Sequence, residues 1–170
     1  PARYLGNERG AAHKPWDSAT IRWVLTYPEV YEVGASNLGH IILYNILNAQ
    51  PRQLSDRAYL PAPDLAAKLR ATHTPLFAVE SRRSLSEFDI LGFSLSYELG
   101  ATNILEMLDL AGIPLTWRER RAQSNESPVS FPYPFIFAGG QTATSNPEPY
   151  ADFFDFIRSE EHTSELQSQR

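Results

Sequence analysis

The chain has 170 residues, with 15 Lys and Arg against 20 Asp and Glu, a formal charge of −5 and no cysteine. Mild acidity without a clustered basic patch argues against a nucleic-acid partner, and the lack of cysteine excludes a disulfide framework, a thiolate nucleophile and a cysteine-held metal or iron–sulfur cluster within this sequence. No apolar run reaches the roughly 20 residues that span a bilayer, so no membrane partner is expected and a cytoplasmic location is the natural expectation.

Residues 1–18 are polar and glycine-spotted and read as a lead-in arm. TIRWVLTYP, from Thr20 to Pro28, is a β-branched and aromatic run ended by proline, which predicts a first buried strand. In EVYEVGASNLGHIILYNILNAQP, Ser36 or Asn37 can cap a helix that stops before Pro51. Its apolar positions Leu38, Ile41, Ile42, Ile46 and Leu47 follow helical spacing. A second, shorter strand is predicted around Arg57 to Leu60, then a helix from Asp64 with Leu65, Ala66 and Leu69 inward. Leu76 to Ser81 reads as another short extended piece.

The clearest strand is DILGFSLSYE, Asp89 to Glu98, apolar enough for a sheet covered on both faces. The helix after it places Ile104, Leu105, Leu108 and Ala111 on one face and stops at Gly112. Pro114 to Pro132 is polar and proline-flanked, a surface excursion or edge piece. Its basic run Arg118, Arg120 and Arg121 is broken by Glu119 and reads as a solvated loop. PFIFAGG predicts a strand ending in a glycine pair, Ser145 or Asn146 a capped start for a short aromatic helix, and Ile157 the place where one more strand should begin.

Strands alternating with helices at this spacing predict an α/β domain over residues 19–157. Its sheet is mostly parallel and doubly wound in the flavodoxin-like, Rossmann-like style, lacking its last strand and helix. From Arg158 onward the text turns polar, and RSEEHTSELQS matches the read-through of a common sequencing adapter, so residues 158–170 are expected to be a non-native tail. That tail holds two arginines against three glutamates, which leaves the rest of the chain at −4. With its sheet edge uncovered, the domain is expected to be marginally stable alone.

Ligands of open parallel sheets sit at the carboxyl ends of the strands. Three loops should share that edge: Tyr27 to Gly39, Ser94 to Thr102, and Gly139 to Asn146. Each combines small residues, which let a large ligand approach the backbone, with donors such as Ser94, Ser96, Tyr97, Asn103 and Thr142. Each glycine taken singly also fits a turn or helix packing. VGASNLG lacks the GxGxxG spacing and no P-loop lysine follows, so a flavin or nucleotide site has the least support. His40 can meet a ligand or pack beside Tyr44, with packing the favoured reading, and Glu29, Glu32 and Glu98 can converge on the edge but read first as rim carboxylates in water. Without a GxSxG elbow or HExxH pair, no catalytic residue and no metal ligand is assigned.

The stretches YPEVYEVGASNLGHIILYNIL, FDILGFSLSYELGATNILEMLDLAGIPL and AGGQTATSNPEPYADFFDFI together resemble the amino-terminal cobalamin-binding domain of a family of bacterial radical SAM proteins, with wording closest to a cyanobacterial member. The resemblance covers about Arg3 to Ile157. It implies a parent protein in which a barrel follows, whose CxxxCxxC motif holds a 4Fe-4S cluster and cleaves S-adenosylmethionine. That missing barrel is the partner it implies.

Against the Asp-x-His-x-x-Gly, Ser-x-Leu and Gly-Gly pattern of methionine-synthase-type cobalamin domains, alignment on Gly34 puts Glu29 at the Asp and Tyr31 at the His. Ser94 matches the serine, Ser96 replaces the leucine, and Gly139 and Gly140 match the glycine pair. The resemblance therefore implies cobalamin binding by Tyr31, Gly34, Asn37, Gly39, Ser94, Ser96, Tyr97, Gly139, Gly140 and Thr142, with no protein imidazole as lower axial ligand. The rival expectation is a domain that keeps the fold without the cofactor and docks a protein partner through an apolar patch around Phe153, Phe154 and Phe156.

Overall fold

A computed structural model describes residues 4–123 and 132–158. Five parallel strands, β1 (Ile21–Tyr27), β2 (Gln53–Tyr59), β3 (Ile90–Ser94), β4 (Phe135–Gly139) and β5 (Phe156–Arg158), lie in the order β2-β1-β3-β4-β5. The chain first steps outward from β1 to β2, then crosses back to β3, so the direction of winding reverses between β1 and β3. This is the flavodoxin-like, doubly wound order, and its crevice belongs at that reversal. The fifth strand, expected to be missing, is present as three residues beginning one position before Ile157.

Period-2 alternation divides each strand between two faces. On the back face Val24, Leu91, Phe93, Ile136 and Ala138 form one core with Ala66 and Leu69 of α3 (Pro63–Thr72) and Ile104, Met107 and Leu108 of α4 (Gly100–Leu110). Burying each large side chain there contributes about 1.5–3 kcal/mol. Gly112 ends the α4 region with φ at 68°, as the sequence predicts.

The front face is built differently. α2 (Leu38–Ala49) covers β1 and β2, capped as predicted by Asn37, whose side chain accepts from the His40 amide at 3.0 Å. The predicted apolar face is only partly the buried one: Ile41 and Leu47 are half-buried, Leu38, Ile42 and Ile46 are exposed, and the fully buried residues of the helix are His40 and Tyr44. The reason lies in β2, whose front-facing residues are Ser55, Arg57 and Tyr59. Asn48 exchanges two hydrogen bonds with the Ser55 backbone at 2.8 and 3.1 Å, and the Arg57 guanidinium lies 4.7 Å from the Tyr44 ring centre. A polar strand selects the helix's polar side.

Other boundaries also move. β2 begins at Gln53, well before Arg57. Leu76 to Ser81 joins no named strand; Phe77 makes an isolated antiparallel bridge to Ser84. The predicted loop around Arg118 is the helix α5 (Trp117–Gln123), and Arg120 is buried, donating to the carbonyls of Pro114, Leu115 and Phe153 and to Asp155. The remainder of that excursion, residues 124–131, lies outside the described residues, as do residues 159–170 of the expected tail. After the glycine pair, α6 starts at Gln141 and ends at Ser145, where the sequence suggests a helix beginning.

The arm is also integrated. Glu8 reaches Arg57, the Tyr4 hydroxyl accepts from Ala62, and Trp16 meets Phe88 edge-on at 5.1 Å.

Candidate functional site

A groove of about 1030 Å³ runs along the front face beside α2, from the carboxyl edge of the sheet toward its middle. Its floor is the front row of three strands, Trp23 and Leu25 of β1, Gly92 and Ser94 of β3, and Phe137 and Gly139 of β4. The register places Leu25, Gly92 and Phe137 side by side. One wall is α2, through Gly39, His40, Leu43, Ile46 and Leu47; on the other side are Phe156 and Arg158 of β5. Phe137 and Phe156 stack at 5.0 Å with their planes within 10°.

Three loops close the top, as the topology requires. Leu95 stitches two of them: its amide donates to the Gly139 carbonyl at 2.7 Å and its carbonyl accepts from the Thr142 amide at 3.2 Å. Gly140 passes so near that φ is 115° and a Cβ would meet the Leu95 carbonyl oxygen. Gly139 is open, since a Cβ there would have no neighbour nearer than 4.0 Å.

Of the ten residues assigned from sequence, Asn37, Gly39, Ser94, Ser96, Gly139 and Gly140 come together on this groove. Tyr31, Gly34, Tyr97 and Thr142 do not line it. Tyr31 opens α1 (Tyr31–Gly34), sets its ring edge-on to Tyr59 at 5.3 Å and donates its hydroxyl to Glu8; burial and that carboxylate push its pKa up to about 12. Gly34 sits under Tyr59, whose ring carbon would lie 2.5 Å from an added Cβ, so it serves packing. Tyr97 is half-buried beyond Ser96, and Thr142 is buried in α6.

The sheet-floor residues Trp23, Leu25, Gly92, Phe137 and Phe156 are absent from the sequence-derived set. A signal for three of them existed. Once Ser94 and Gly139 are placed at the site, the residues two earlier, Gly92 and Phe137, share their face, and Leu25 is their neighbour in register. Arg158, the first residue of the expected tail, pairs with Gly139 in the sheet.

Behind the α2 wall lies a buried ion network. The Arg57 Nε donates to Glu80 at 2.7 Å, its terminal nitrogen to Glu8 at 2.8 Å, and the Arg57 amide to the second Glu80 oxygen at 2.8 Å. Burial works against the Arg57 charge, but the two carboxylates outweigh it and hold the guanidinium protonated above its usual range. His40 stands between Tyr27 and Tyr59, ring centres 5.8 and 5.6 Å away, and burial reinforced by Arg57 lowers its pKa to about 4. The imidazole is neutral at pH 7.

Glu29 is partly buried at the rim and its carboxylate lies 3.4 Å from the Asn103 amide, while Glu32 and Glu98 are exposed. Among the described residues no three His, Asp or Glu gather as a metal site, and no helix is long and apolar enough to cross a membrane.

The family model described as "Radical SAM proteins, N-terminal" matches residues 39–168, more than half of the chain, from the first turn of α2 onward. No curated protein and no solved structure matches the chain. The chain belongs to the radical SAM protein family as an N-terminal region, carried on a five-stranded parallel α/β fold.

Proposed function

We propose that this domain binds a corrinoid, cobalamin, in the front-face groove and serves as the N-terminal module of a radical SAM protein. The 4Fe-4S cluster at which such a protein binds S-adenosylmethionine needs cysteine ligands, and this sequence has none. They belong to the barrel that is this domain's proposed partner.

The observation that carries the reading is the shape of the groove. Its top, at the reversal of winding, offers Asn37, Ser94, Ser96 and glycines without side chains, which suits a broad amide-rimmed ring. Its lower part is apolar, lined by Leu25, Leu43, Phe137 and Phe156 with the Phe137 ring lying over Gly92, which suits a flat heteroaromatic appendage. Gly139 leaves room for close approach of a ring to the backbone. Bound cobalamin would supply a cobalt centre able to carry an alkyl group or an electron. Around it, this chain's residues bind and orient the ring, and the apolar floor excludes water.

A docking role has one observation in its favour. Phe135 and Phe156 are 50% and 42% exposed and stack at 5.3 Å, a patch continuous with the groove. The patch shares only Phe156 with the one the sequence suggests, since Phe154 is buried and Phe153 half-buried. Apolar patches of this kind mark interaction surfaces.

Reconstitution decides between them. The purified chain is incubated with hydroxocobalamin and passed over gel filtration, and visible corrinoid absorbance co-eluting near one equivalent is the expected result. Loss of all colour from the protein peak would overturn corrinoid binding and leave the docking role.

A further inference from the structure

His40 is built into the groove wall in the first turn of α2 and is 1% exposed. Its backbone is accounted for by the Asn37 cap. Its ring is not: neither Nδ1 nor Nε2 has a hydrogen-bond partner. Buried polar atoms are almost always paired, and one left over in a ligand groove marks where a partner arrives. The flanking Tyr27 and Tyr59 present aromatic contacts to the ring, and its neighbour Gly39 carries no side chain; a Cβ there would meet only Asn37 Oδ1, at 3.4 Å.

We propose that His40 is a binding residue for the corrinoid, hydrogen-bonding through its neutral imidazole to an amide or hydroxyl group of the bound ligand; this rests on the reading of the groove as the corrinoid site. A neutral imidazole has one N–H donor and one acceptor nitrogen, which an amide or a hydroxyl, itself both donor and acceptor, can pair with at either nitrogen, whereas a bare anion can meet only the N–H. Corrinoids carry both groups, as peripheral carboxamides and as the ribose hydroxyl of the nucleotide tail.

The test is a titration of ¹⁵N-histidine-labelled protein with hydroxocobalamin, following the ring nitrogens by NMR and assigning His40 through the His40→Gln variant. The His40 ring resonances are expected to move on binding while those of His13 and His73 stay in place. In parallel, His40→Leu should bind hydroxocobalamin about 10-fold more weakly, the loss expected when a buried hydrogen bond is removed, and His40→Gln should restore most of it. Either folded variant, His40→Gln or His40→Leu, suffices to assign the wild-type resonances, so the wild-type titration gives the answer if one of the two fails to fold. Cobalamin bound with the His40 resonances unmoved, or bound equally by His40→Leu, would overturn the role of His40 and leave the groove reading intact. A wild-type chain that retains no hydroxocobalamin would overturn the groove reading and, with it, this assignment.

Discussion

Gly140 and Leu95 approach so closely that a Cβ on Gly140 would lie 2.7 Å from the Leu95 carbonyl oxygen. That carbonyl already accepts the Thr142 amide, and Gly140 holds φ at 115°, so contact and conformation both demand glycine. Gly140→Ala is therefore expected to destabilise the domain by at least about 1–3 kcal/mol, read as a melting temperature lowered by several degrees. An unchanged melt would show that the two loops are not fastened at this point.

The glycine pair has two separable halves, and Gly139 makes the opposite prediction. Its Cβ direction is open to 4.0 Å, and its place on the front face at the end of β4 points a side chain toward the groove. Gly139→Leu should keep the wild-type melting temperature and lose hydroxocobalamin at least about 10-fold, the equivalent of about 1.4 kcal/mol. Equal binding by this variant would place the ligand elsewhere on the protein.

The strands, their parallel order and the three carboxyl-edge loops were legible because β-branched runs, glycines and capping residues act locally. The inward face of α2 was not legible. Apolar periodicity assumes an apolar surface beneath the helix, whereas β2 offers Ser55, Arg57 and Tyr59, and the contact is made by Asn48, Tyr44 and His40. α5 was missed for a related reason: its anchor is the buried guanidinium of Arg120 gripping three carbonyls, and a charged residue carries no inward signal in a periodic pattern. At the site, Ser94 and Gly139 were legible as strand ends. Gly34 and Tyr31 were aligned by spacing alone, and spacing does not tell on which side of Tyr59 the four-residue α1 turns.

The Arg57–Glu80 pair gives a third prediction. Both groups are buried; removing Arg57 leaves the Glu80 carboxylate without its counter-ion, and removing Glu80 leaves Arg57 only the less buried Glu8, changes that cost up to about 3–5 kcal/mol. Glu80→Leu and Arg57→Met should each unfold at clearly lower urea, while the double variant recovers much of the loss. Simple additivity of the two single effects would mean that the ions do not act as a pair.

His40 makes stability depend on pH in a definite direction. Its pKa is about 4 in the folded chain against 6.5 for the free side chain, because burial and the Arg57 charge disfavour the imidazolium; Tyr27 and Tyr59 face the ring from β1 and β2. A depressed folded pKa means that the stability due to neutral His40 is fully present above pH 6.5. It erodes as pH falls below that value and is gone once pH drops through about 4, a loss of about 3 kcal/mol at about 1.4 kcal/mol per pKa unit. Urea unfolding followed from pH 7.5 to 4 should show this slope in the wild type and a slope shallower by up to one proton in His40→Phe, whose ring cannot titrate. Parallel slopes would mean that the imidazole protonates as easily in the folded chain as in the unfolded one, and that the wall of the groove is open to water at this residue.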